Sequence, residues 1–161
     1  MSDASPVAVP VRSAVFAWPV RVYWEDTDAG GVVFYANYLK FFERARTEWL
    51  RVWGPSQEAL RASGAGMFVV SETQVRYLQP AVLDDEVRIT VELLDVGRAS
   101  MSVRQQAWRA TTLLCEGSIR IGWVQKTGLG TLKPARMPTE ITQRLEALMQ
   151  ANPAGASGVA Q

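Results

Sequence analysis

At 161 residues the chain is long enough to bury one ordinary core and too short for two, so one domain with one site is expected. Apolar residues make up 48% and charged residues 20%, the balance of a folded globular protein and not of a disordered one. The 17 basic and 16 acidic residues leave a net charge of +1. That is too little to draw the chain to nucleic acid or an anionic membrane, and no apolar run approaches the ~18 residues that stable membrane insertion requires.

Two counts narrow the chemistry. The chain has no histidine, which removes Ser-His-Asp and Cys-His nucleophile systems and any metal site built on imidazole. Its single cysteine, Cys115, forms no intrachain disulfide. The start MSDASPVAVPVRS lacks the cationic and apolar blocks of a secretory signal, so a cytoplasmic location is expected. Chemistry must then run on carboxylates, backbone dipoles, Lys, Tyr or Cys115.

Residues 1 to about 13 and 151 to 161 are small and weakly patterned and read as disordered ends. Between them, 14–136 read as the folded domain and 137–150 as a C-terminal helix. Val15 to Trp24, rich in β-branched and aromatic residues, predicts a first strand with Pro19 at an edge or bulge. It leads into the turn-forming Asp26-Thr27-Asp28-Ala29-Gly30-Gly31. Tyr38, Phe41, Phe42, Ala45, Trp49, Leu50 and Trp53 then recur at helical spacing, predicting a helix over Asn37–Trp53 stopped by Gly54-Pro55. Its charged residues Glu43, Arg44, Arg46, Glu48 and Arg51 read as a solvated, ion-paired face.

Ser56 is placed to cap a short helix through Ser63. Four strands follow at Met67–Tyr77, Glu86–Val96, Ser100–Arg109 and Leu113–Val124, with connections short enough for antiparallel neighbours. Lys126, Lys133 and Arg136 form a loose basic group, read as surface. Thr139–Met149 is amphipathic and predicts a terminal helix. The order of elements gives an α+β domain, one antiparallel sheet of about five strands wrapped around the long helix.

The stretch Glu25 to Tyr38 carries the chemistry. Two carboxylates at i and i+2 sit where a strand ends, two glycines free the backbone, and a helix starts soon after. A helix N-terminus exposes unpaired N–H groups and about half a positive charge, donors for a carbonyl oxygen turning into an oxyanion. Without further information Asp26 and Asp28 read first as turn formers. The Asp-x-Asp-x-Gly-Gly spacing also opens calcium loops, but Gly30 and Asn37 stand where such a loop needs oxygen ligands, so no metal is expected.

The run EDTDAGGVVFYANYLKFFERARTEWLR, with VRYLQPAVLDDEVRI after it, resembles the 4-hydroxybenzoyl-CoA thioesterase family of hot-dog proteins. Within that family it is most similar to the Tol-Pal-associated acyl-CoA thioesterases, over roughly Val20 to Pro134. The resemblance implies hydrolysis of an acyl-CoA or acyl-carrier-protein thioester without a cofactor, CoA being part of the substrate. It places the catalytic carboxylate on Asp28, the oxyanion donor on the backbone N–H of Tyr35, and the close-approach glycine on Gly31, and leaves Asp26 to organise the loop. Many Tol-Pal-type members carry His where Tyr35 stands, which bears on substrate class and not on a main-chain donor. Phe34, Asn37, Met67 and Phe68 are expected to line the substrate pocket. The resemblance further implies a homodimer or a homotetramer built from dimers, with sites between protomers. A non-catalytic scaffold for carrier protein or envelope-lipid enzymes is the alternative; a hydratase is disfavoured because such hot-dog enzymes pair His with an acid.

Overall fold

A computed structural model describes residues 15–151; the ends expected to be disordered, 1–13 and 151–161, lie outside these residues apart from Ala151. The elements are β1 (Phe16–Arg21), a 3-10 turn (Trp24–Asp26), α1 (Asn37–Trp53), α2 (Gln57–Ser63), β2 (Met67–Tyr77), β3 (Glu86–Val96), β4 (Ser100–Arg109), β5 (Thr112–Lys126), β6 (Leu132–Pro134) and α3 (Thr139–Gln150). All strand pairings are antiparallel, in the order β1-β3-β4-β5-β2. β1 and β2 are therefore the outer strands. A bulge near Ser71 interrupts the β2–β5 register.

The central helix forms where its period demands. Tyr38, Phe41, Phe42, Ala45, Trp49 and Leu50 are buried against the inner face of the sheet, where Val87, Ile89, Val91, Val103, Ile119 and Trp123 alternate with outward polar residues. Phe41 and Phe42, both fully buried, each contribute roughly 2–3 kcal/mol on an area basis. Gly117 leaves room on β5 for the Phe42 ring of α1. A β-carbon there would meet Phe42 Cε2 at 3.1 Å and the carbonyl oxygen of Gln74 at 3.1 Å. At its far end α1 is closed by α3, whose Arg144 donates to the Trp53 carbonyl at 2.9 Å, a cation where the helix dipole is negative.

Three expectations need correction. The first strand ends at Arg21 and not at Trp24, because Asp26 draws the Tyr23 amide into a 3-10 turn. A sixth short strand appears where the Thr127–Gly130 turn, with Gly130 at φ +79°, folds Leu132–Pro134 back onto β5; Lys126 and Lys133 lie on this hairpin. Arg46 is not on a solvated helix face. It follows Phe42 by one turn, so its guanidinium passes beneath the helix and donates to the fully buried Gln105 at 2.7 Å. Glu48 and Arg51 do pair on the exposed side, at 2.5 Å.

Gly66, just before β2, has φ +135°, and a β-carbon there would lie 2.6 Å from the ring of Trp123. That ring is fully buried and packed edge-on against Phe68, with centroids 4.9 Å apart. Gly66→Ala is expected to cost about 2 kcal/mol or more through backbone strain and overpacking, measured as a drop in urea midpoint at unchanged m-value.

Candidate active site

Asp26 is the residue on which the loop between β1 and α1 closes. Its side chain is buried: Oδ2 accepts from the Tyr23 amide at 2.8 Å and Oδ1 from Asn37 Nδ2 at 3.2 Å. Its carbonyl accepts from the Phe34 amide at 2.8 Å. One residue thus ties the exit of the strand to the first residue of the helix. Asn37, expected in the pocket, is itself buried and spends its amide on this carboxylate.

Within that clasp the chain makes a small hairpin, with Thr27 bridged to Val33. The Asp28 amide donates to the Val32 carbonyl at 2.8 Å, and the Gly31 amide to the Asp28 carbonyl at 3.0 Å. Gly31 takes φ +79° with open space around it, the left-handed turn position that a side chain would strain. Asp28 is exposed. Its Oδ1 accepts from the amides of Gly30 at 2.8 Å and Val32 at 3.4 Å, while Oδ2 has no hydrogen-bond partner among the described residues. The hairpin is pinned from below: the Val33 amide donates to the Ala81 carbonyl at 2.9 Å, and the Ala81 amide to Tyr38 Oη at 3.1 Å. Burial of Tyr38 raises its phenol pKa, against the lowering effect of the Ala81 amide, so it stays neutral and serves as an acceptor.

The mouth of α1 is left open. Its N-cap, Ala36, supplies no side-chain acceptor, and the first turn holds no acidic residue. The Tyr35 amide has no acceptor among the described residues, whereas the Tyr35 carbonyl accepts from Tyr77 Oη at 2.9 Å. Around it stands a half-exposed aromatic group: Phe34 and Tyr35 rings at 4.7 Å, Tyr35 and Tyr77 at 6.2 Å, Tyr38 and Tyr77 at 5.7 Å. Trp24, 79% exposed, and Tyr23 lie on the preceding turn.

Asp28, Gly31, Phe34 and the Tyr35 amide thus belong to one loop and helix mouth. Met67 and Phe68 do not join them within one chain. They open β2, while Tyr77 at its other end touches Tyr35, and nine strand residues span roughly 30 Å. Phe68 instead lines a cavity of about 120 Å³ with Arg46 and Trp49. Sequence reasoning missed Tyr38, Tyr77 and Ala81, the supports of the loop; only the sheet order brings the β2–β3 connection beneath it. Cys115 is fully buried, and burial pushes its thiol up to about 12; it is a packed residue with no part in the site.

A sheet curled round one long helix, with a carboxylate-bearing loop at the uncapped helix mouth, defines the chain as a hot-dog protein. The sequence profile of the thioesterase superfamily matches residues 30–116, more than half of the chain, and the chain belongs to that superfamily. It is 41% identical over 126 residues to the acyl-CoA thioesterase YbgC of Haemophilus influenzae, covering 78% of this chain and 90% of that protein. To the acyl-CoA thioester hydrolase YbgC of Escherichia coli O157:H7 it is 42% identical over 132 residues, covering 81% and 96%. Among solved structures, a probable thioesterase from Bartonella henselae superposes with a TM-score of 0.71 at 32% identity, over 77% of this chain and 99% of that one. A 4-hydroxybenzoyl-CoA thioesterase, at 16% identity and covering 83% and 99%, gives 0.76 and shares the fold.

Asp26→Ala is expected to lower stability by about 1–3 kcal/mol, the cost of leaving buried donors unsatisfied, read as a shift in the urea midpoint. The native Cys115 thiol should resist iodoacetamide at pH 8 and become alkylated in urea, with mass spectrometry counting the adduct.

Proposed function

We propose that this chain hydrolyses acyl-CoA thioesters to the free acid and thiol, with Asp28 as the reacting carboxylate and the Tyr35 amide as oxyanion donor. The observation that carries this reading is the open mouth of α1: an amide without an acceptor, no acidic residue in the first turn, and a carboxylate-bearing loop fastened to that same turn through Asp26 and Asn37. The names of the 41–42% identical relatives supply the acyl-CoA class. An acyl-carrier-protein thioester presents the same reacting group and is a chemically equivalent donor.

The chemistry needs no imidazole. A carboxylate, unlike a hydroxyl or thiol, is deprotonated at neutral pH without help. Its oxygen either attacks the thioester carbonyl, giving an acyl-enzyme anhydride that water then opens, or takes a proton from water as water attacks. In both routes negative charge gathers on the former carbonyl oxygen, where the Tyr35 N–H and the positive end of α1 stabilise it. The thiolate leaves readily, so no dedicated acid and no metal or cofactor is required. The half-exposed rings of Phe34, Tyr35 and Tyr77 offer the acyl group an apolar wall.

The working unit in this reading is a dimer, two copies pairing along β2, or a tetramer of such dimers. β2 is an eleven-residue outer strand with Val69, Val70 and Tyr77 exposed; a long uncovered edge of this kind templates pairing and is normally closed. Antiparallel pairing would bring the start of one β2, with Met67 and Phe68, toward the end of the other, beside Tyr35. That juxtaposition reconciles the separated pocket residues with one site formed between protomers.

Asp28→Asn is expected to keep the wild-type melting temperature and lose roughly 10²-fold or more of kcat, followed as thiol release from short, long and aromatic acyl-CoAs. Near-normal turnover would remove Asp28 from the mechanism. A single turnover in ¹⁸O-water followed by rapid-quench mass spectrometry tests the nucleophilic route: label in the Asp28 carboxylate or an acyl adduct on Asp28 marks it, whereas label in the product acid is common to both routes because water can open the anhydride at either carbonyl.

A further inference from the structure

The middle of α1 carries a charge that the reaction above does not use. Arg46 Nη1 donates to Gln105 Oε1 at 2.7 Å. Gln105 is fully buried, and its own amide nitrogen donates to the Phe42 carbonyl at 3.0 Å. With its NH2 spent on the helix, its oxygen can only face the guanidinium. Arg46 is therefore held in place by a neutral group.

No carboxylate lies within 4.0 Å of Arg46 among the ion pairs of the described residues. Glu43, three residues away, is exposed and accepts from Thr47 Oγ1 at 2.6 Å, which accepts in turn from Gln57 Nε2 at 2.9 Å. Burial lowers the Arg46 pKa and the Glu43 charge works against that. A guanidinium has five N–H donors, and here one is used. Arg46 lines a cavity of about 120 Å³ together with Glu43 and Gln57, whose side chains both hydrogen-bond to Thr47, and the rest of the wall is the apolar set Trp49, Leu50, Phe68, Val70, Met101 and Ile121.

Arg46 is half-buried, and a partly desolvated charge gains from a partner of opposite sign. The planar fork of arginine matches a carboxylate bidentately. At ~30 Å³ per water the cavity has room for about four waters, the size of a carboxylate with two or three methylenes. Its apolar wall suits those methylenes.

We propose that the Arg46 cavity binds the terminal carboxylate of a short dicarboxylic acyl group whose thioester is cleaved at the Asp28 loop of the partner protomer. This rests on the β2-paired thioesterase reading above and names the substrate class for it. Arg46 is then a specificity-determining residue. Glu43, in the lining of the same cavity, opposes anion entry, and Gln105 positions the fork.

The test compares glutaryl-CoA with pentanoyl-CoA, equal in carbon count and different in the terminal carboxylate. The wild-type protein is expected to have the lower KM for glutaryl-CoA. In Arg46→Leu the ratio of kcat/KM for glutaryl-CoA over pentanoyl-CoA should fall at least about 30-fold, the worth of a hydrogen-bonded charge, with KM carrying the change. Arg46→Lys should fall in between, and Glu43→Gln should shift the ratio the other way. If Arg46→Leu fails to fold by circular dichroism, Arg46→Lys and Glu43→Gln carry the test. A wild-type protein indifferent to the carboxylate, or a ratio within about threefold of wild type in the folded variants, overturns the proposal. Calorimetric titration of Asp28→Asn with glutarate separates the two readings. Glutarate binding that is lost in the Arg46→Leu/Asp28→Asn double variant, with no thiol release by the wild type, upholds the cavity and sinks hydrolysis. Thiol release without glutarate binding does the reverse.

Discussion

The arrangement depends on one buried carboxylate that is not offered as the reacting one. Asp26 accepts from the amide of Tyr23 on Oδ2 and from the side chain of Asn37 on Oδ1, so the exit of the first strand and the start of the central helix are held by the two oxygens of one carboxylate. Everything between them, including Asp28, Gly31 and Tyr35, has to turn within that closure. Because the group is buried and acceptor-only, each of its hydrogen bonds is costly to lose. The loop is thereby held as a shaped element.

A second constraint comes from beneath. The Ala81 peptide donates to Tyr38 and accepts from Val33, so the β2–β3 connection fixes the height of the loop above the helix mouth. Asp85, in the same connection, accepts from the Val82 amide and from Arg109 at 2.7 Å. Burial would raise its pKa, but these two partners together hold it below the usual carboxylate range. The segment supporting the loop is itself braced to β4. The site's geometry thus comes from three separate parts of the chain, joined by hydrogen bonds that satisfy otherwise unpaired backbone groups.

Much of this was legible in the residues. The α1 stripe was readable because Phe, Trp and Tyr at three- and four-residue spacing leave a helix only one way to bury them, and the structure begins and ends that helix at Asn37 and Trp53. The four main strands followed from their alternation and turn residues. The role of Asp26 was foreseen as loop organiser, and Gly31 takes the positive φ that its place in the turn demanded. The early end of β1 was not legible, since Val22, Tyr23 and Trp24 have strand propensity and only a side-chain bond to Asp26 overrides it. Nor was β6, three residues long and paired only because a turn happens to return it. The place of Arg46 is not legible because charge on a helix normally means solvent, and its partner Gln105 lies 59 residues away on another element.

Sequence alone therefore determined the local periodicities, the turn at Gly30-Gly31, the absence of imidazole and the presence of two acids before a helix, since each depends on residue type and short spacing. Tertiary structure decided which acid is sequestered and which is exposed, left the helix mouth uncapped beside Tyr77, and set Phe68, at the far end of the same strand, beside Arg46 in the middle of the helix. Those outcomes turn on contacts between segments tens of residues apart, and hydrogen-bond satisfaction in a packed interior, unlike helical spacing, has no local signature.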